Sequence, residues 1–248
     1  MALFGIIGKS LAHSFSPSFF NDFFKKNNFN HDYRCFELSS ISKLPWLIEN
    51  YPSLVGFNVT IPYKREILSY LDYISDEAKE IGAVNTVIIT RNGKEIFLKG
   101  YNTDVTGFII TLNSLNKSFK KAAILGTGGA SSAVAFALKK KNISYFFVSR
   151  NPKTEEYSYA DLSDGRFCNA DLIINTTPLG MYPDIENMPE IPVQHLNSNH
   201  TVIDLIYNPS ETLLLQKAKQ KGCTIVNGAL MLEKQAIEAW EIWKNEIC

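Results

Sequence analysis

The stretch KKAAILGTGGASSAVAFALKKKNISYFFVSR, Lys120 to Arg150, limits the possible folds more than any other part of the chain. A short apolar run, Ala122–Leu125, enters Gly126-Thr127-Gly128-Gly129-Ala130-Ser131; a helical pattern over Ala130–Lys141 and a second apolar run, Tyr145–Val148, follow. Strand, glycine turn, helix and strand within about 30 residues form one parallel βαβ unit. Gly126 suits the tight turn, and Gly128 and Gly129 let a pyrophosphate approach the backbone at a helix N-terminus. Ala130 and Ser131 are small residues standing where a third fingerprint glycine usually sits. The alternative is a tight turn with a purely structural role; the strand–turn–helix–strand order favours a dinucleotide site.

The end of the second strand bears on which dinucleotide. NAD sites usually place Asp or Glu about 20 residues after the glycines, on the ribose 2′-hydroxyl. Here the run is Ser149-Arg150-Asn151-Pro152-Lys153. Arg150 can fork to phosphate oxygens and stack on adenine, and Lys153 adds a point charge. NADP is favoured over NAD, against the reading of a solvated basic turn.

Further strands are expected at Asp171–Asn175, Thr201–Leu205 and Thr224–Val226, with helices at Val105–Leu115, Thr212–Lys221 and Ala229–Lys244. Alternation of this kind predicts a doubly wound parallel sheet. The region before Asp104 has another texture. Strand patterns fall at Leu3–Ile7, Tyr33–Leu38, Gly56–Thr60, Thr86–Thr90 and Glu95–Gly100, and Asn92-Gly93 signals a two-residue hairpin. Helices are expected at Pro17–Asn27, Ile41–Asn50, Lys64–Leu71 and Asp76–Ile81. The expected class is therefore α/β in two domains. Residues 1–101, completed by a C-terminal helix over 229–248, form an α/β substrate domain with a mixed, mainly parallel sheet; residues 102–228 form a Rossmann-like domain.

Twenty-five basic and 25 acidic residues balance in 248, with no long single-sign run, which argues against nucleic acid or an anionic membrane as partner. No apolar window of about 18 residues suggests a membrane span, and MALFGIIGKS lacks the basic start of a signal peptide. Cys35, Cys168, Cys223 and Cys248 form no CxxC pair and read as free thiols in a reducing cytoplasm. His13, His31, His195 and His200 lack the spacing of a zinc site, so no metal is expected.

Short polar residues collect at element ends. In GFNVTIPYKREI the alternation reads as a half-buried strand that Pro62 stops near Thr60, which presents Asn58, Thr60 and Lys64 together. His13-Ser14-Phe15-Ser16-Pro17 offers two hydroxyls; Pro17 at a first helical position also makes Ser16 a natural N-cap. Asn85 precedes a strand, and Asp104 precedes a helix that it could merely cap. Together these groups suit a small polyhydroxylated, carboxylated ligand.

The same segments carry a resemblance. HSFSP (13–17), NVTIPYK (58–64), GAVNT (82–86), YNTD (101–104), GTGGAS (126–131), INTTPLGM (174–181), DLIYNPSET (204–212) and NGALMLEKQ (227–235) follow one another as in the shikimate dehydrogenases, which the chain resembles along nearly its whole length. The resemblance implies reversible, NADP-dependent oxidation of shikimate to 3-dehydroshikimate in chorismate biosynthesis, a small-molecule substrate, a cytoplasmic location and a monomer or homodimer. It implies that Ser14 and Ser16 hold the substrate carboxylate, approached by Tyr207. Thr60, Asn85, Asp104 and Gln235 then bind the ring hydroxyls or groups around them, and Lys64 and Asp104 form the catalytic pair. For the cofactor it implies Gly126, Thr127, Gly128, Gly129, Ala130, Ser131, Ser149, Arg150, Asn151, Lys153, Leu205 and Gly228, with Thr176 and Met181 nearby. Ser149-Arg150-Asn151 departs from the family's Asn-Arg-Thr but keeps the arginine, and the segment between Arg150 and Asn169 looks compressed.

Oxidising a secondary alcohol moves a hydride and a proton. With no zinc site and no Tyr-x-x-x-Lys helix, Lys64 is the remaining candidate acid/base. A carboxylate neighbour favours its ammonium form, while partial burial and a cationic nicotinamide favour the amine. The other reading of Lys64 is a surface residue opening the helix Lys64–Leu71. A broader quinate/shikimate enzyme using NAD and a non-catalytic NADP-binding regulator are the rival functions.

Overall fold

The computed structural model describes residues 1–164 and 167–247 and divides into two compact units. One comprises Met1–Thr103 together with the stretch from Gln235 onward, the other Asp104–Lys234.

The first unit is built on a six-stranded mixed sheet. Strand β1 (Ala2–Gly8) lies between β2 (His31–Glu37) and β3 (Leu54–Val59), parallel to both. Beyond β3 come β5 (Thr86–Asn92) and β6 (Glu95–Tyr101), both antiparallel to their inner neighbour, and then the two-residue edge strand β4 (Tyr73–Ile74), parallel to β6. Both faces of β1 are covered, which is why it reads as a continuous apolar run. Leu3 and Ile7 join one core with Phe57, Val59, Val87 and Ile89; Phe4 and Ile6 join the other with Phe20, Tyr33, Trp240 and Trp243. Helices α1 (Ser16–Lys26), α2 (Leu44–Asn50) and α3 (Asp76–Ile81) complete this part of the chain.

Three local expectations change. Residues 64–71 do not form an α-helix: the chain turns and makes only a 3₁₀ segment, Glu66–Tyr70. The Lys64 carbonyl, which a helix would offer to the residue four further on, instead accepts the Val84 N–H at 2.8 Å. Ser16 is not an N-cap. Helix α1 starts at Ser16 itself, preceded by Phe15 in helical conformation without a side-chain cap, and the Ser16 hydroxyl hydrogen-bonds Tyr33. The hairpin turn falls one residue late, because Asn92 pairs with Glu95 and leaves Gly93 (φ +61°) and Lys94 as the loop. Glycine at the first loop position satisfies its positive φ.

The second unit holds a five-stranded sheet, all parallel, in the order β11-β10-β9-β7-β8. Its strands are β7 (Lys121–Leu125), β8 (Ser144–Val148), β9 (Leu172–Asn175), β10 (Thr201–Asp204) and β11 (Thr224–Val226). Helices α4 (Asp104–Ser114), α5 (Gly129–Lys140) and α6 (Leu213–Gln220) belong to this unit; α7 (Ala229–Ile247) begins in it and runs into the first. The apolar strand residues Leu125, Val148, Ile173 and Val202 share a core with Leu162, Phe167, Leu214 and Leu215. Between β8 and β9 the described residues make only the 3₁₀ turns Ala160–Asp164 and Phe167–Asn169, with Tyr157 bridging to Val148. Cys35 and Cys223 are free thiols; Cys248 lies outside the described residues.

Candidate active site

In the first unit Ser16, Asn58 and Asn85, three of the polar residues at element ends, meet Gln235 in one buried network. Asn58, near the end of β3, accepts the Tyr33 hydroxyl at 2.7 Å and donates its amide to the Asn85 carbonyl and the Thr86 hydroxyl, each at 3.2 Å. Asn85 accepts the Thr103 backbone N–H at 2.7 Å and donates to the Thr103 hydroxyl at 3.0 Å. Its amide nitrogen lies 3.5 Å from the side-chain Oε1 of Gln235, which the Thr103 hydroxyl also reaches at 3.4 Å. With the Ser16–Tyr33 bond, a continuous chain links Ser16 to Gln235. Burial pushes the Tyr33 phenol well above its ordinary pKa, so it stays a neutral donor. Every member is buried, and such a network is rigid only when all its groups are paired.

Other proposed substrate residues lie at the ends of elements. Thr60 follows β3, half-buried, its N–H on the Ile7 carbonyl at 3.0 Å. Ser14 closes a turn onto the Leu11 carbonyl at 2.9 Å and is half-buried, as is Lys64. Asp104, the first residue of α4, follows Thr103 directly and is only 5% exposed. Tyr33, Thr86 and Thr103 join the network without being candidates on the sequence. The motifs GAVNT and YNTD already contain the two threonines; Tyr33 carries no local signal, since it reads as one more apolar strand position.

In the second unit every candidate cofactor residue lies past the carboxyl end of a strand of the parallel sheet. Gly126–Ser131 follow β7, Ser149–Lys153 follow β8, Thr176 and Met181 follow β9, Leu205 follows β10 and Gly228 follows β11. The order reverses at β7, which has β8 on one side and β9 on the other; the crevice at such a switch point is where doubly wound sheets bind ligands. Gly126 takes φ +106°, and a Cβ there would lie 2.9 Å from the Thr176 hydroxyl. The Thr176 hydroxyl donates to the Leu125 carbonyl at 2.6 Å and lies 2.6 Å from Ser131 Oγ, which ties the glycine turn to the loop after β9. Gly128 precedes α5 without a side-chain cap, and a Cβ on it would meet nothing within 4 Å. An uncapped helix start beside open space fits a pyrophosphate. Gly228, by contrast, is pressed against Leu205, whose carbonyl oxygen would lie 2.0 Å from a Cβ.

Arg150, Asn151 and Lys153 are exposed, and Ser149 is half-buried. Ser149 Oγ accepts the Asn151 N–H at 3.2 Å, while the Glu156 carboxylate holds the Lys153 N–H at 3.0 Å. Two cations thus stand at the end of β8, where a ribose phosphate would add negative charge. Tyr207 is half-buried on the loop after β10. Among the described residues no group of three or more His, Cys, Asp or Glu is placed to hold a metal ion.

One ionisable group in this unit is set apart by its burial. Asp204, at the end of β10, is fully buried, and burial raises its pKa from 3.8 to about 6 against the opposing pull of bonds from Thr212, Ile206 and Asn175.

Comparison with known proteins bears on what this arrangement serves. Residues 6–87 match the family described as the shikimate dehydrogenase substrate binding domain. An NADP(+) shikimate dehydrogenase from Caldanaerobacter subterraneus is 39% identical over 267 residues, covering 98% of this chain and 92% of the relative. The crystal structure of a shikimate dehydrogenase from Peptoclostridium difficile superposes with a TM-score of 0.86 at 38% identity, over 99% of this chain and 92% of that one. A Thermus thermophilus shikimate 5-dehydrogenase, solved in complex with NADP(H) and shikimate, gives a TM-score of 0.86 at 30% identity over 99% of this chain and 94% of that one. A likeness in sequence and fold that runs from end to end leaves one conclusion: the chain belongs to the shikimate dehydrogenase family.

Proposed function

We propose that this protein is an NADP-dependent shikimate dehydrogenase that interconverts 3-dehydroshikimate and shikimate in the cytoplasm, as a monomer or homodimer, on the route to chorismate. The observation that carries the reading is the 39% identity to an NADP(+) shikimate dehydrogenase across 98% of the chain. Bound NADP supplies the hydride donor or acceptor. The residues after β7, β8, β9, β10 and β11 hold it: Gly126–Ser131 at the phosphates, Ser149, Arg150, Asn151 and Lys153 at the adenosine end, and Thr176, Met181, Leu205 and Gly228 along the remaining length.

On the substrate side Ser14 and Ser16 take the carboxylate, which Tyr207 approaches, and Thr60, Asn85, Asp104 and Gln235 take the ring hydroxyls or the groups around them. The buried network from Ser16 to Gln235 supports this assignment, because it orients three of these side chains before any ligand arrives. Lys64 is the acid/base, paired with Asp104. In reduction its ammonium protonates the carbonyl oxygen as hydride reaches the carbon; in oxidation the amine removes the hydroxyl proton.

Following NADPH absorbance on mixing the protein with NADP and shikimate tests the reading. Shikimate-dependent NADPH formation is expected, with lower efficiency when quinate replaces shikimate or NAD replaces NADP. Binding of both ligands without turnover, or better efficiency with quinate or NAD, overturns it.

A further inference from the structure

We infer that Asp204 is a positioning residue that couples the loop after β9 to the loop after β10, so that one buried carboxylate sets both the cofactor contacts of the first loop and the substrate contact of the second. The inference rests on the roles proposed above for Thr176, Met181 and Tyr207.

The geometry is specific. Asp204 is 0% exposed and receives three donors on two oxygens. Oδ1 accepts the Asn175 side-chain amide at 3.0 Å and the Ile206 N–H at 3.1 Å; Oδ2 accepts the Thr212 hydroxyl at 2.7 Å. Each donor roots a different piece of backbone. Asn175, the last residue of β9, uses its own Oδ1 to accept the Thr177 N–H at 3.0 Å and the Thr177 hydroxyl at 2.7 Å, which folds the loop that carries Thr176 and Met181. Ile206 and Thr212 bracket the loop that carries Tyr207, and Thr212 caps α6 through the Leu215 N–H at 3.4 Å. The loops meet again further out, where the Tyr182 N–H donates to the Asn208 carbonyl at 3.1 Å.

A structural carboxylate needs only partners. This one has partners on two loops that carry different ligand contacts, and it is shut off from bulk solvent. Without it Asn175, Ile206 and Thr212 lose their common acceptor, and both loops gain freedom at their roots. Displacements of about 1 Å at such distances cost binding and rate out of proportion to the contact removed.

The test is steady-state kinetics on the full chain, with KM for NADP and for shikimate measured separately. Asp204→Ala is expected to raise both KM values, each on the order of tenfold, and Thr212→Val to raise KM for shikimate while leaving KM for NADP within about twofold. Thr212→Ser, which keeps the hydroxyl, is expected to restore the wild-type value. A purely structural role predicts another pattern: fewer folded molecules lower the apparent kcat and leave both KM values unchanged. That pattern, or an Asp204→Ala effect confined to one ligand, overturns the inference. Where Asp204→Ala does not accumulate folded, the Thr212 pair decides the matter, and equal shifts in both KM values or none count against it. Thr176→Val and Tyr207→Phe run alongside as direct probes of the contacts. Unchanged KM values in both show that the site assignment has failed and the inference with it; shifts in these two with none in Asp204→Ala or Thr212→Val show that the inference alone has failed.

Discussion

The hydroxyls of Ser131 and Thr176 lie 2.6 Å apart, although 45 residues separate them in the chain. Thr176 gives its proton to the Leu125 carbonyl, so Ser131 donates to Thr176. This clasp joins the start of α5 to the loop after β9 and holds the glycine turn at the switch point of the sheet.

Thr176→Val keeps the volume but removes the donor to Leu125 and the acceptor for Ser131. Stability is expected to fall by about 1–3 kcal/mol, and NADP affinity with it. Urea unfolding and a fluorescence titration with NADPH check the two effects; unchanged values in both would show the clasp to be idle.

Gly128 and Gly228 should respond in opposite ways to an added methyl group. Gly128→Ala meets open space, so unfolding is expected to be unaltered while NADP binding weakens, since the new Cβ takes room a pyrophosphate needs. Gly228→Ala drives a Cβ to 2.0 Å from the Leu205 carbonyl oxygen and is expected to cost about 3 kcal/mol. Denaturant midpoints for both proteins, with cofactor titration of the first, would expose either expectation as wrong.

Lys64→Ala is expected to lower kcat by roughly 10²–10⁴, the range for an acid/base group, with ligand binding largely kept. Turnover near the wild-type level would remove Lys64 from the chemistry.

Asp204 makes stability depend on pH in a definite direction. Its folded pKa of about 6 stands above the ordinary 3.8, so between these values the folded protein keeps a proton that the unfolded chain has lost. The stabilising contribution is therefore fully present below about 4 and declines as pH rises to 6, by about 3 kcal/mol in all. Asp204→Asn abolishes it. The stability difference, wild type minus variant, is expected to shrink by that amount between pH 4 and 7 in urea unfolding; a difference that does not vary with pH refutes the assignment.

Tyr33→Phe removes the donor to Asn58 and the partner of Ser16 inside the first unit. Leaving Asn58 Oδ1 unpaired is expected to cost about 1–3 kcal/mol and to raise KM for shikimate. Thermal unfolding together with shikimate kinetics checks this, and a variant as stable and as tight as wild type would show that Ser16 is oriented by something else.

Much of this was legible along the chain because it is local. The apolar runs, the glycine turn and the alternation of strand and helix patterns marked the parallel sheet, since period and turn chemistry act over a few residues. In a doubly wound sheet the loops after the strands share one edge, so the candidate cofactor segments fell there together. Helix or turn after Thr60 was harder: the Lys64 carbonyl is claimed by Val84, twenty residues on, and nothing local announces that.

Partnership between buried polar groups was out of reach of any local pattern. Tyr33 and Asn58 are 25 positions apart, Asn175 and Asp204 are 29, and Asn85 and Gln235 are 150. Chain order and motif say which residues carry hydroxyls, amides and acids. Only the packing of strand against strand and helix against sheet selects which of them lose water, and a group that has lost water must take whatever partner the fold has brought beside it.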